Sequence, residues 1–379
     1  MSSIKNRWST DQLITGIETG EWLKLLKGVG YDVAPEYLHR LAWVSAWSLP
    51  ATVVGRMEDA RFGRKIASMN MPAPIFLLGH WRSGTTHLHN LLGRVPEHTY
   101  PTVFQVVFPT AFLSMDPAIP NLTARLMTPT RAYDNVAHGW HEAAEDEIAL
   151  AKLTGMSPYL SFMFPERSAK YERYIDFMEA SPDEREQWLD TLKWFLRKVS
   201  LASGGHRVVC KSCGHTARVR MLVEAFPDAR FVYIHRNPFE VYASTIHMRS
   251  HTDWENFFQV PAGDWEARQS TETLDLGERI FDRWAADRRL IPPERLFEVG
   301  YEELAGNEVA TMERLWAHLE LPRWGQAEAA ISEYVDGLQN YKRNELTLTE
   351  RDRHRVRQHW QSAFETYHYD LEDGSRSVQ

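Results

Sequence analysis

Only two cysteines occur in 379 residues, so no disulfide framework can hold this fold together. Positive charge is not in excess either. Lys and Arg number 43 against 51 Asp and Glu, a formal net charge of −8, which excludes a broadly basic nucleic-acid surface but leaves room for a local basic pocket. Long apolar runs are missing too. The longest candidate, Leu41 to Val54, is interrupted by Ser45, Ser48 and Pro50 and is too short and broken to span a bilayer. The first residues, Met1 to Leu13, lack the apolar centre of a signal peptide. Together these absences lead us to expect a soluble, cytoplasmic enzyme with no nucleic-acid partner and no transmembrane segment.

What is present suits a packed globular chain. Apolar residues make up 43% and charged residues 25%, too rich in apolar side chains for disorder. Residues 1–70 read as a helical N-terminal segment packed on the core, with Trp22, Leu23, Leu25 and Leu26, then Leu38, Leu41, Trp43 and Trp47, at helical spacing. Covering the core is the expected role of this segment, with a weak membrane-surface contact as the alternative.

From residue 71 to 379 the pattern is that of one α/β domain. Ile75-Phe76-Leu77-Leu78 is a short apolar run fenced by prolines, as in a buried parallel strand. A glycine-bearing turn follows, then Leu88, Leu91, Leu92 and Val95 at helical spacing. The unit recurs. Trp188 to Val199 is a helix ended by Ser203-Gly204-Gly205. Arg207 to Cys210 is a strand, Val219 to Phe226 a helix, and Arg230 to Ile234 a strand. Pro238 opens another helix, and Leu296 to Val299 is a fourth strand. The alternation predicts a central parallel sheet with helices on both faces, plus helical N- and C-terminal segments and insertions near 100–200 and 246–290.

The turn after the first strand carries the chemistry. Gly79-His80-Trp81-Arg82-Ser83-Gly84-Thr85-Thr86 has the spacing of a phosphate-binding loop between a strand and a helix, where backbone N–H groups and a helix N-terminus converge on an anion. The departure from a nucleotide kinase is informative. Thr85 stands where a P-loop lysine would be, and the cation has moved to Arg82. The neighbouring strands end in Lys211 and in His235-Arg236, with no acidic residue to hold magnesium. A cationic site without a metal carboxylate suits the transfer of an anionic group without a metal ion.

These residues also carry a resemblance. The loop from Phe76 through His87 resembles the 5′-phosphosulfate loop of sulfotransferases. Arg236 and Ser244, eight residues apart, resemble the family's 3′-phosphate motif. Lys211-Ser-Cys-Gly-His215, Tyr301-Glu-Glu-Leu304 and Tyr341-Lys-Arg-Asn344 are similar to three further family segments, so the matches run in order from about 75 to about 345. The pattern is closest to a bacterial group related to tyrosylprotein and carbohydrate sulfotransferases. The resemblance implies a P-loop-type fold and sulfuryl transfer from 3′-phosphoadenosine 5′-phosphosulfate to a hydroxyl or amine. The competing readings are a P-loop kinase or nucleotide phosphotransferase and a non-catalytic nucleotide-binding scaffold.

The resemblance implies roles residue by residue. The N–H groups of Ser83, Gly84, Thr85 and Thr86 take the 5′-phosphosulfate, with Arg82 on the sulfonate. Lys211 neutralises the departing bridging oxygen, and Arg236 and Ser244 hold the 3′-phosphate. Tyr301, Lys342 and Arg343 are further donor-binding candidates.

A hydroxyl acceptor also needs a general base. The Glu that one branch of the family places shortly after the loop helix is absent from Tyr100-Pro-Thr-Val-Phe-Gln105. The candidates are His141, Glu142 and Glu145, from the segment Trp140 to Glu147, and His215. On a helix His141 and Glu145 would share a face, as would Glu142 and Asp146. The aromatic segments Tyr100 to Leu113 and His251 to Trp265 are candidates for the acceptor site, the acceptor being a small molecule, a glycoside or a lipid-like hydroxyl.

Overall fold

The computed structural model describes residues 13–123, 139–337 and 346–376. By packing, the chain divides into two units. One comprises 1–70, 101–204 and 248–266; the other comprises 71–100, 205–247 and 267–379. Residues 1–70, read above as a segment of their own, fall into the same unit as 101–204.

The second unit holds a five-stranded parallel sheet: β1 (Ile75–Leu78), β2 (His98–Thr99), β3 (Arg207–Lys211), β4 (Arg230–His235) and β5 (Leu296–Gly300), in the order β2-β3-β1-β4-β5. Four strands match the expected ones. β2 adds a fifth strand that the sequence does not signal, because two residues show no periodicity. Every residue of β1 is buried, as a strand covered on both faces requires.

Alternation divides the sheet residues between two cores. Ile75, Leu77, Val209, Val232 and Ile234 pack with Leu88, Leu91 and Leu92 of the helix Thr85–Gly93 and with Met312, Leu315 and Ile331. On the other face Phe76 stacks on Phe231 at 5.6 Å, and Tyr233 stacks on Trp284 at 4.0 Å. Offset or parallel ring pairs of this kind add to simple burial.

The first unit is helical. The helix Leu38–Ala67 accommodates Pro50 in its interior. Pro182–Ala202 begins with a capping box, Ser181 accepting from the Glu184 N–H and Glu184 reaching back. Between these helices lies a buried ion pair, Lys198 with Glu58, each side chain 1% exposed. Lys198 also donates to the Pro109 carbonyl at 2.7 Å, and Glu58 accepts from the Ser114 N–H at 2.6 Å. These extra bonds matter because a buried pair is tolerated only when its remaining donors and acceptors are satisfied. Desolvation outweighs the Glu58 carboxylate and lowers the Lys198 pKa to about 8. Arg40, likewise buried, donates to the carbonyls of Trp254 and Phe257. Among the described residues no helix is long and apolar enough to cross a membrane.

Candidate active site

β1 is the central strand, and its neighbours are β3 and β4. β3 closes on Lys211, and β4 closes on His235, followed by Arg236. Carboxyl ends of neighbouring parallel strands form the ligand crevice of an open α/β sheet, so cations at those ends face the loop that follows β1.

That loop is braced by its own backbone. The Gly79 N–H donates to Thr216 Oγ1 at 2.8 Å, and the Thr216 hydroxyl donates to the Gly79 carbonyl at 3.2 Å. The Ser83 hydroxyl donates to the His80 carbonyl at 2.8 Å, and the Ser83 N–H donates to the same oxygen at 3.2 Å. The Ser83 N–H is therefore engaged in the turn, which corrects the expectation that it faces the anion. Gly84 caps the helix Thr85–Gly93 with φ +102°, and a Cβ there would lie 2.4 Å from the Tyr301 ring. Only glycine fits that conformation and that approach.

Arg82 adopts φ +68°, a left-handed conformation that a long side chain takes only when its surroundings impose it. Its Nε donates to Ser244 Oγ at 2.9 Å. Lys211 Nζ reaches Thr86 Oγ1 at 3.5 Å. Arg236 donates through Nη1 to the Arg82 carbonyl at 3.3 Å, and its guanidinium lies 4.5 Å from the centre of the Tyr301 ring. Arg236 also forks onto Glu240, Nε to Oε2 at 2.9 Å. One cluster thus joins Arg82, Ser244, Arg236, Tyr301 and Gly84, with Lys211 at the end of β3 reaching Thr86 on the first turn of the adjacent helix.

His80 and His235 add no charge at neutral pH. His80 is buried, stacked on Phe281 at 5.1 Å, and desolvation lowers its pKa to about 4. His235 stacks on Tyr367 at 3.8 Å, and desolvation, followed by Arg376 and Arg288, lowers it to about 3. His215, a candidate base, lies fully buried with its ring edge-on to Phe76 at 5.6 Å. Cys210 and Cys213 are both buried and are not joined in a disulfide.

The acidic segment belongs to the helical unit. The helix there starts only at Asp146, with Glu145 extended at the N-cap (φ −81°, ψ 127°). The expected helix-face pairing of His141 with Glu145 and of Glu142 with Asp146 is therefore corrected. Residues 140–144 instead run alongside 101–104. The Val103 N–H donates to the Glu142 carbonyl, the Phe104 N–H to the Trp140 carbonyl and the Ala144 N–H to the Pro101 carbonyl. Those backbone bonds hold the chain extended where side-chain spacing alone suggested a helix. His141 is exposed and Glu142 half-buried. Glu145 is half-buried and accepts a short hydrogen bond from the Tyr159 hydroxyl, while Asp146 and Glu147 are fully buried. The segment is therefore not a solvated acidic face.

Lys342 and Arg343 lie outside the described residues. Three partners escaped the sequence reading. Glu240 had a signal, since it stands four residues after Arg236 on a helix. Thr216 and Tyr159 had none, because their partners Gly79 and Glu145 are distant or follow irregular backbone.

Comparison with known proteins identifies the family. The sequence model of the sulfotransferase family matches residues 74–326. The chain is 32% identical over 373 residues to the omega-hydroxy-beta-dihydromenaquinone-9 sulfotransferase Stf3 of Mycobacterium tuberculosis, covering 97% of this chain and 95% of the relative. The same protein of Mycobacterium bovis matches equally. Among solved structures, a sulfotransferase from Mycobacterium avium, STF9, aligns with TM-score 0.70 at 20% identity over 95% of this chain and 94% of the other. A sulfotransferase from Mycobacterium tuberculosis, STF1, aligns with TM-score 0.63 at 20% identity over 89% of this chain and 90% of the other. The likeness to these two shows a shared fold. With a family match over most of its length and a relative covered almost end to end, the chain belongs to the sulfotransferase family and is a sulfuryl-transferring enzyme.

Proposed function

We propose that the enzyme moves the sulfuryl group of 3′-phosphoadenosine 5′-phosphosulfate to a hydroxyl on an apolar, lipid-like acceptor. The observation that carries the donor assignment is the Arg82–Ser244–Arg236 cluster beside a glycine cradle. It gathers cations for two anionic groups with no strand-end carboxylate for a metal. The apolar acceptor rests on the 32% identical relatives, which are omega-hydroxy-beta-dihydromenaquinone-9 sulfotransferases.

In this reading the N–H groups of Gly84, Thr85 and Thr86 bind the 5′-phosphosulfate, as the first turn of a helix favours. Arg82 neutralises the charge spread over the sulfonate oxygens in the transition state. Lys211 stabilises the bridging oxygen as the sulfur–oxygen bond to the donor breaks. Arg236 and Ser244 take the 3′-phosphate, and Tyr301 flanks the guanidinium. Glu145, oriented by Tyr159, accepts the acceptor's hydroxyl proton as the new sulfur–oxygen bond forms. Of the base candidates it has a carboxylate held by a positioned partner, whereas His141 is exposed and His215 is enclosed by the core.

The test is transfer of labelled sulfonate from the donor to a panel of long-chain or isoprenoid alcohols and to short soluble alcohols, without magnesium. Labelled product with apolar alcohols is expected. No product with any acceptor, or transfer confined to the short soluble alcohols, overturns the acceptor assignment.

A further inference from the structure

The helix Leu38–Ala67 buries one face and carries an exposed apolar stripe on the opposite one. Arg40, Val44, Ser48, Ala51, Gly55 and Glu58 recur every three or four positions and are buried. Half a turn away, Leu38, Ala42, Ala46, Leu49, Val53 and Met57 form a second stripe at the same spacing, and all six are exposed. Leu49, Val53 and Met57 keep 61%, 59% and 67% of their surface open. An ordinary surface helix shows solvent a polar stripe, whereas here the outward stripe is the apolar one, which calls for a cover. Trp43, 36% exposed, flanks the outer stripe beside Trp47.

Charge identifies what covers this face. Arg56, Arg61, Arg64 and Lys65 are exposed toward the end of the helix, while its acids are the buried Glu58 and the exposed Asp59. That is a local cationic surplus on a chain of net charge −8. A second copy of the chain would cover the apolar stripe but leave the cations without complement. An anionic bilayer answers both features, since acyl chains accept the stripe and headgroups meet the cations.

We propose that the outer face of Leu38–Ala67 docks in the plane of an anionic phospholipid surface, with Leu49, Val53 and Met57 entering the acyl boundary and Arg56, Arg61, Arg64 and Lys65 on the headgroups. The proposal rests on this helix alone and not on the acceptor reading.

Full-length protein is sedimented with vesicles of phosphatidylcholine and with vesicles of equal parts phosphatidylcholine and phosphatidylglycerol. Wild type is expected to pellet with the mixed vesicles and to be released by high salt. The double variant Leu49→Glu, Val53→Glu and the triple variant Arg61→Gln, Arg64→Gln, Lys65→Gln should each weaken that binding by about tenfold or more. Both should keep the wild-type melting temperature and affinity for 3′-phosphoadenosine 5′-phosphate, which separates lost docking from lost folding. Absence of wild-type binding to mixed vesicles, or unchanged binding by both variants, overturns the proposal. A wild-type dimer dissolved by Leu49→Glu, Val53→Glu also overturns it and assigns the face to a second copy. Vesicle binding is read without turnover, so failure here leaves the sulfotransfer reading standing.

Discussion

Arg82 Nε donates to Ser244 Oγ at 2.9 Å although 162 positions separate the two residues. The bond ties the loop cation proposed for the sulfonate to the hydroxyl proposed for the 3′-phosphate. Arg82→Ala should lower turnover by roughly 10²- to 10³-fold, the cost of losing one preorganised donor to a developing anion. Affinity for 3′-phosphoadenosine 5′-phosphate, measured by calorimetry, should fall less because the backbone N–H groups remain. Near-normal turnover in the variant would remove Arg82 from the mechanism.

Arg236 is held by Glu240 through an i,i+4 fork in which the carboxylate is half exposed. Such surface pairs are worth about 0.3–0.5 kcal/mol, far less than a charge-assisted phosphate fork, so a 3′-phosphate should displace the carboxylate. Arg236→Ala should weaken 3′-phosphoadenosine 5′-phosphate by about 10- to 100-fold, and Glu240→Gln should tighten it by about twofold. An analogue lacking the 3′-phosphate should feel neither change. Equal effects on both ligands would place the 3′-phosphate elsewhere.

Glu145→Gln keeps the shape of the proposed base and removes its charge. Turnover should drop by about 10²- to 10⁴-fold with nucleotide binding intact. Tyr159→Phe removes the hydroxyl that orients the carboxylate. It should lower kcat by about tenfold while leaving the donor KM alone, as expected of a positioning residue. Retained turnover in Glu145→Gln, together with its loss in His215→Asn, would transfer the base role to His215.

Acid should destabilise the sheet unit through its buried imidazoles. Desolvation lowers His80 and His98 to about 4 and His235 to about 3, from an unfolded value near 6.5. Below about pH 6.5 the unfolded chain takes up protons that the folded one refuses, so stability falls as pH drops toward about 4 and is level above 6.5. The contribution of His80 is on the order of 3 kcal/mol at the acid end. His80→Phe preserves a ring on Phe281 and removes the titration. Urea unfolding from pH 7.5 to 4.5 should show a shallower decline for this variant, and parallel declines would count against the assignment.

Much of the framework of the proposed donor site could be read from the chain because its parts are local. The strand Ile75–Leu78, the glycine-bearing turn and the helix at Thr85 follow one another directly, and β3 and β4 end where Lys211 and His235 suggested. What stayed hidden depends on long-range backbone pairing. Nothing in the spacing of His141 to Glu147 reveals that residues 140–144 pair with 101–104, which turns an apparent helix face into an extended approach to an N-cap. The left-handed Arg82 was equally unreadable, since no local rule asks an arginine to adopt it. The Lys198–Glu58 pair lay hidden because nothing in the sequence says which two charges meet inside.

The sheet's central partners reach the ribosome's exit far apart in time. Ile75 of β1 pairs with Val209 of β3 and with Arg230 of β4, and both partners lie beyond the whole stretch 101–204 that builds the other unit. A nascent chain that has emitted Ile75-Phe76-Leu77-Leu78 must therefore carry a bare apolar strand until at least one neighbour emerges. Such a segment is the kind that aggregates or recruits a chaperone. Truncated products ending before residue 205 contain β1 without either flanking strand and are expected to be insoluble. Neither unit can be recovered as a simple excised fragment, since each is stitched from three separate stretches of the gene.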